Sequence, residues 1–195
     1  MKEFNALRDA PSVLRRNLGI RLAHRLIGNR DGDRFIVSFP RSGSTWLRTI
    51  LSGILDPAHG CEPEIFNRSL PGVSGRNVST IRALPAPRLM STHSGFRSGI
   101  PKALYLVRDG RDSLISFYHY TTTRNGVALP FDRWFALYAR RWYGLRWHEH
   151  VEGWLTQGPQ MLGDHLMIVK FEHLKAQPVD KVLETGQIVG LANHT

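Results

Sequence analysis

Residues 34–47 read RFIVSFPRSGSTWL, and the fold turns on this stretch. Phe35, Ile36, Val37 and Phe39 surround one small serine, the make-up of a short buried strand over residues 34–39. Pro40 to Ser44 supply turn residues, and from Thr45 onward Trp46, Leu47, Ile50, Leu51, Ile54 and Leu55 recur at helical spacing. The unit is strand, tight loop, helix. A helix that starts directly behind a loop presents unpaired amides and the positive end of its dipole, so the loop suits an anion. Gly43 lets the backbone approach that anion closely, and Ser44 and Thr45 add hydroxyl donors. Arg41 adds a permanent charge on a planar fork that matches two phosphate or sulfate oxygens. An ordinary helix cap needs only the serine or threonine. The run of glycine, four residues and Gly-Lys-Ser/Thr that marks the nucleoside-triphosphate loop does not occur, which argues against ATP.

Working outward, the same unit recurs at 103–107. That strand ends in Arg108 and is followed by helical spacing at Leu114, Ile115 and Tyr118, with Asp109, Arg111 and Asp112 placed to cap and pair within the turn. Residues 88–91 read as a weak strand, 131–147 as an aromatic-rich helix, 165–171 as a strand and 179–191 as a last helix. Residues 56–87, with five prolines and weak periodicity, read as a long surface excursion. Strands alternating with helices predict an α/β fold, a P-loop-type three-layer α/β/α arrangement around a central parallel sheet. Ligands then bind beyond the carboxyl ends of the strands.

Upstream, residues 12–28 space Val13, Leu14, Leu18, Leu22, Leu26 and Ile27 at near-helical intervals, with Arg15, Arg16, Arg21 and Arg25 between them. The expected organisation is an amphipathic basic helix within 1–30, packed on a domain of residues 31–195; peripheral membrane contact through 12–28 is the less favoured use of that face. The chain of 195 residues suits one domain, and its formal charge of +10 attracts anions without choosing among them. The single cysteine, Cys61, leaves no thiolate cluster for zinc or iron and sulfur, and no resident metal is expected. No stretch approaches the roughly 20 apolar residues of a membrane span, and no signal-peptide core is visible, so the expected location is cytoplasmic. Basic residues spread along the chain without a reader motif argue against a nucleic-acid partner.

FPRSGSTWL at 39–47 and LYLVRDGRDSLISFY at 104–118 together resemble the two nucleotide-binding segments of sulfotransferases that use 3′-phosphoadenosine 5′-phosphosulfate (PAPS). The resemblance covers roughly residues 34–191. It implies that Arg41, Ser42, Gly43, Ser44 and Thr45 hold the 5′-phosphosulfate, while Arg108 and Ser116, eight positions on, hold the 3′-phosphate. In MSTHSG, His93 falls where the family has its general base, and Arg41 takes the place of a transition-state cation that cytosolic members generally carry as lysine. Trp46 resembles the residue that stacks on adenine, and in IVKFEHLKAQP Phe171 replaces a tyrosine that could serve the same base. Ser91 stands where cytosolic members have a second lysine. The family's basic glycine-containing loop over the 3′-phosphate does not follow before Thr195, so the expectation is either a short variant that uses another cation such as Arg97 or Arg124 or a truncated form with weakened binding. The implied activity is metal-free, in-line sulfuryl transfer from PAPS to a hydroxyl or amine of a small-molecule, carbohydrate or lipid acceptor. The alternative is a module that binds adenosine 3′,5′-bisphosphate with little or no turnover. Acceptor identity and oligomeric state stay open.

Overall fold

Two strands with alternating faces organise the molecule. A computed structural model of the protein describes residues 19–55, 58, 69–125, 129–136 and 146–190, apart from the side chains of 124, 125 and 187–189. In β1 (Arg34–Ser38), Ile36 faces one side of the sheet while Phe35 and Val37 face the other; in β3 (Lys102–Val107), Leu104 and Leu106 oppose Ala103 and Tyr105 in the same way. Both sets are buried, so the sheet needs cover on both faces. The Ile36 side carries Leu47 and Leu51 of α2 (Ser44–Leu55), Leu174 of a short helix (Phe171–Ala176) and Val182 of the last helix (Pro178–Val189). The Phe35 side carries Ala23 and Ile27 from α1, helical over residues 19–27, together with Ile81 and Trp154. The result is a three-layer α/β/α fold.

All strand pairings are parallel, in the order β2-β1-β3-β4, with β2 at Leu89–Thr92 and β4 at Leu166–Lys170. Every strand therefore ends at the same edge, and the chain leaves that edge at residues 39, 93, 108 and 171. At the opposite edge a fully buried ion pair joins the strand starts: Arg88 donates to both Asp33 oxygens at 3.0 and 2.5 Å and to the carbonyl of Gly28 at 2.6 Å. Burial works to raise the Asp33 carboxyl, but hydrogen bonds from Arg88 and from the Arg30 amide outweigh it and hold it below the usual range.

Several expectations need correction. Within 56–87 the described part is not all surface, because Leu70, Val73 and Ile81 are buried and a helix forms at Val78–Ala83. Apolar residues between turn formers were filling the core under a loop. Of the helix expected over 131–147, residues 137–145 lie outside the described residues; a helix covers Phe131–Trp134, Arg146 is extended, and Trp147 opens a new helix, Trp147–Glu152, whose start is closed by Arg146 donating its amide to Glu149 at 2.7 Å. Phe171 opens a helix instead of ending a strand. In α1 the buried stripe is Ala23, His24 and Ile27, whereas Leu22 and Leu26 are about half exposed. Val13, Leu14, Leu18 and Cys61 lie outside the described residues.

Two histidines are buried in the layer that contains α1. Burial, then the Arg97 guanidinium, pushes His24 down to about 3; burial, then the nearby His93 ring, does the same to His150. Both fold as neutral rings, while in the unfolded chain each binds a proton near pH 6.5. The unfolded state therefore holds more protons between about pH 6.5 and 3, so stability is full above that window and falls as pH drops through it, by about 1.4 kcal/mol per pH unit for each histidine. Urea unfolding is expected to lose about 4 kcal/mol between pH 7 and pH 5. His24→Gln and His150→Gln should each flatten that slope by roughly half, and an unchanged slope would show the rings to be charged in the fold.

Candidate active site

The loop between β1 and α2 is closed by Ser42 donating its amide to the Phe39 carbonyl at 3.2 Å, and the first helical bond runs from the Leu47 amide to the Gly43 carbonyl at 3.1 Å. The amides of Ser44, Thr45 and Trp46 precede that bond and point out of the helix start. Gly43 has φ +95° and Arg41 φ +69°, both in the left-handed region. For the arginine this costs about 1 kcal/mol. A Cβ at Gly43 would overlap the Phe171 ring, so only glycine fits beneath it. Ser42 is buried, with its hydroxyl 3.5 Å from that of Ser113. Ser44 is also buried, and Thr45 is exposed.

Arg108 leaves β3 and crosses to this loop. One of its terminal nitrogens donates to the Arg41 carbonyl at 3.2 Å, and its guanidinium lies 4.6 Å from the centre of the Phe171 ring. Its Nε is buried with no hydrogen-bond partner among the described residues. The following turn is held as expected: Asp109 accepts from the Arg111 amide at 2.8 Å and pairs with its guanidinium at 2.7 Å. Trp147 donates to the Arg108 carbonyl at 3.1 Å and packs on Gly110, where a Cβ would meet the indole at 2.7 Å. The helix Gly110–Asn125 carries Ser116, whose hydroxyl accepts from Arg41 Nε at 3.3 Å, and Tyr120, whose ring lies 4.6 Å from the Arg41 guanidinium carbon. Arg41, Arg108 and Ser116 thus share one cluster. Among the described residues the carboxylate paired with it is Asp112, 3.6 Å from Arg108 and itself 57% exposed, so solvent weakens the neutralisation of these two permanent cations.

His93 directly follows β2. Its Nδ1 lies 2.8 Å from the Ser38 carbonyl and 3.3 Å from the Ser38 hydroxyl. A carbonyl can only accept, so Nδ1 carries the hydrogen, and the neutral ring keeps a lone pair on Nε2. Trp46 is 38% exposed and meets Phe171 edge-on at 6.1 Å, which removes core packing as the reason for that indole. Ser91 is buried in β2, so no cation stands at that position. Arg97 spends one nitrogen on His24 Nδ1 at 2.5 Å, and the Arg124 side chain lies outside the described residues. Among the described residues no group of three or more His, Cys, Asp and Glu side chains is placed to hold a metal ion. Sequence reasoning missed Ser38, Tyr120, Trp147 and His24. Each acts through a contact between distant segments that no local spacing signals.

A family model described as Sulfotransferase domain matches residues 31–194. Among curated relatives, mouse Sulfotransferase 1B1 is 26% identical over 84% of this chain and 64% of its own length. Cytosolic sulfotransferase 5 of Arabidopsis thaliana is 25% identical over 83% and 57%, and human Sulfotransferase 2B1 is 31% identical over 80% and 46%. The chain spans about half to two thirds of the length of these relatives. Solved structures share the fold. A mouse sulfotransferase complexed with PAP has a TM-score of 0.66 at 18% identity, covering 89% of this chain and 63% of that one. A putative steroid sulphotransferase of Arabidopsis thaliana has 0.67 at 22% identity, covering 89% and 67%. With the family model extending over nearly the whole described chain and both arginine corners meeting at one sheet edge, the protein belongs to the sulfotransferase domain family.

Proposed function

We propose that this chain transfers a sulfuryl group from PAPS to a hydroxyl or amine of a small-molecule acceptor. The observation that carries the reading is the meeting of the two corners: Arg41 reaches Ser116 at 3.3 Å while Arg108 bonds the Arg41 carbonyl at 3.2 Å. One dianionic nucleotide touching both corners would engage residues 67 apart in sequence. The residues suit that group, since Arg108 Nε is buried and unsatisfied and the α2 amides face outward. In this reading Gly43, Ser44, Thr45 and Arg41 hold the 5′ end, and Arg108 with Ser116 hold the 3′-phosphate. Ser42 ties the loop to the helix behind it. Trp46 and Phe171 offer ring surface for the base.

When bound, the nucleotide supplies a sulfuryl group carried on a phosphate leaving group. His93 presents Nε2 to the proton of an incoming hydroxyl, while its Nδ1 donates to the Ser38 carbonyl. Arg41 contributes charge near the developing oxyanions and cannot easily give up a proton. The retinol dehydratase structures, which share the fold at a TM-score of 0.62 and 18% identity, hold retinol or androsterone with PAP, which supports an apolar alcohol as the class of acceptor. A cytoplasmic location agrees with the naming of the plant relative and with the lack, among the described residues, of a helix long and apolar enough to cross a membrane.

Calorimetry with adenosine 3′,5′-bisphosphate is expected to give saturable 1:1 binding. Arg108→Ala should weaken it about 10- to 100-fold, as expected for lost charge-assisted hydrogen bonds. With sulfur-labelled PAPS and a panel of phenols, sterols and sugars, His93→Ala should keep bisphosphate affinity within about threefold and reduce product formation at least about 100-fold. Tight binding with no labelled product from any acceptor would replace the transferase reading with a bisphosphate-binding module. Absence of binding would remove both.

Gly43→Ala tests the loop itself. The added methyl meets the Phe171 ring and the left-handed backbone at once, so affinity for the bisphosphate should drop more than about tenfold and the melting temperature should fall. Shrinking the ring in Gly43→Ala/Phe171→Leu should recover part of the thermal loss, and no recovery would show that the ring is not the obstacle.

A further inference from the structure

We propose that His24, on the first described helix, is a positioning residue for His93, holding Thr92 and Ser94 on either side of it; the inference rests on the general-base role given to His93 above. The hydrogen bonds fix the His24 ring state. Arg97 points a guanidinium nitrogen at His24 Nδ1 from 2.5 Å, and a guanidinium can only donate, so Nδ1 is an acceptor. The hydrogen of the neutral ring is therefore on Nε2, which lies 2.9 Å from the Thr92 hydroxyl and 2.9 Å from the Ser94 hydroxyl. These two hydroxyls are 2.9 Å apart, and the Ser94 amide donates back to Thr92 Oγ1 at 3.2 Å. Trp154 closes the same turn by donating its indole N–H to the Ser94 carbonyl at 3.1 Å.

The consequence lies one residue away on each side. His93 sits between the two residues that His24 grips, and its own ring is aimed by the Ser38 carbonyl at 2.8 Å. A bond of that length survives only if the backbone at 92–94 keeps its place relative to β1. His24 comes from 68 residues upstream of Thr92 and is itself anchored, because Ala23 and Ile27 beside it lie in the core. The contact thus ties the end of β2 to a helix already fixed against the sheet. The choice of side chain follows from the two demands placed on it, an acceptor toward Arg97 and a donor toward a pair of hydroxyls. Burial and the Arg97 charge agree with that state by keeping the ring neutral, its pKa pushed down to about 3.

Glutamine can meet both demands and leucine neither, so the pair of substitutions separates positioning from packing. Histidine side-chain nitrogen NMR on the full chain with bound adenosine 3′,5′-bisphosphate is expected to show His93 as a single tautomer with its hydrogen on Nδ1. His24→Leu should convert the His93 signals to a mixture of tautomers and lower kcat about 10- to 100-fold, with the KM for PAPS unchanged within about twofold. His24→Gln should restore the single tautomer and most of kcat. Should His24→Leu fail to fold, Ser94→Ala removes one of the two gripped hydroxyls and should shift the His93 tautomer in the same direction. A His93 spectrum unchanged in His24→Leu, or a rise in KM equal to the fall in kcat, overturns the positioning role. Sulfuryl transfer that survives His93→Ala overturns the base assignment instead, a result the tautomer measurement cannot produce by itself.

Discussion

The hydrogen bond from Arg108 to the Arg41 carbonyl joins the two arginine corners, and it is possible only because β1 and β3 are parallel neighbours. Ser38 pairs with Leu106, so Arg41 and Arg108 leave the sheet two to three residues beyond a common level. Phe171, leaving the next strand, then slides between them, over Gly43 on one side and under the Arg108 guanidinium on the other. An antiparallel arrangement would send these residues to opposite edges. The chemistry thus depends on strand direction before it depends on any side chain.

That dependence explains what could be read from the chain alone. The central strands at 34–39 and 103–107 were legible because burial on both faces selects a continuous apolar run, and each is followed by turn chemistry and helical spacing. Arg41, Arg108 and Ser116 were legible because each sits at a set distance from such a turn. Less was readable where tertiary contact overrides local pattern. Leu70, Val73 and Ile81 fill the core from a proline-rich segment, and the helix at Trp147 starts through an Arg146–Glu149 interaction inside what looked like a continuous aromatic stripe. His24 was hidden for the opposite reason. Its helix was visible, but Leu22 and Leu26, part of the pattern that made it look amphipathic, are about half exposed, and the buried stripe carries a histidine instead.

Among the described residues the site concentrates positive charge against one exposed carboxylate, Asp112. Arg41 settles this locally by lying on the Tyr120 ring and the Ser116 hydroxyl, and Arg108 by lying on Phe171. Aromatic faces and hydroxyls are weak partners for a guanidinium, worth about 0.5–2 kcal/mol each. Such partners hold a cation in place without removing its charge, so an arriving phosphate meets oriented donors and displaces little. Stronger carboxylate pairing is kept to the flank, at Asp109 with Arg111. The left-handed backbone at Arg41 fits the same logic, because a small local strain turns its carbonyl toward Arg108.

The base role proposed for His93 sets a different constraint, since one nitrogen of its ring must be turned toward the acceptor. The Ser38 carbonyl supplies that condition at one ring nitrogen, and it belongs to the last residue of β1, buried and paired with Leu106 of β3. The remaining freedom is in the backbone that carries His93. Three contacts limit it from three elements: β2 through its pairing with β1, the π-helical turn Gly153–Gln157 through Trp154, and α1 through His24. Only the last of these passes through a titratable ring, and that ring is kept neutral by the same Arg97 that fixes its tautomer. Protonating it would put a hydrogen on Nδ1, set two cations against each other inside the core and break the contact with Arg97. The first helix is therefore tied to the backbone that carries His93 by hydrogen bonds as well as by apolar contact.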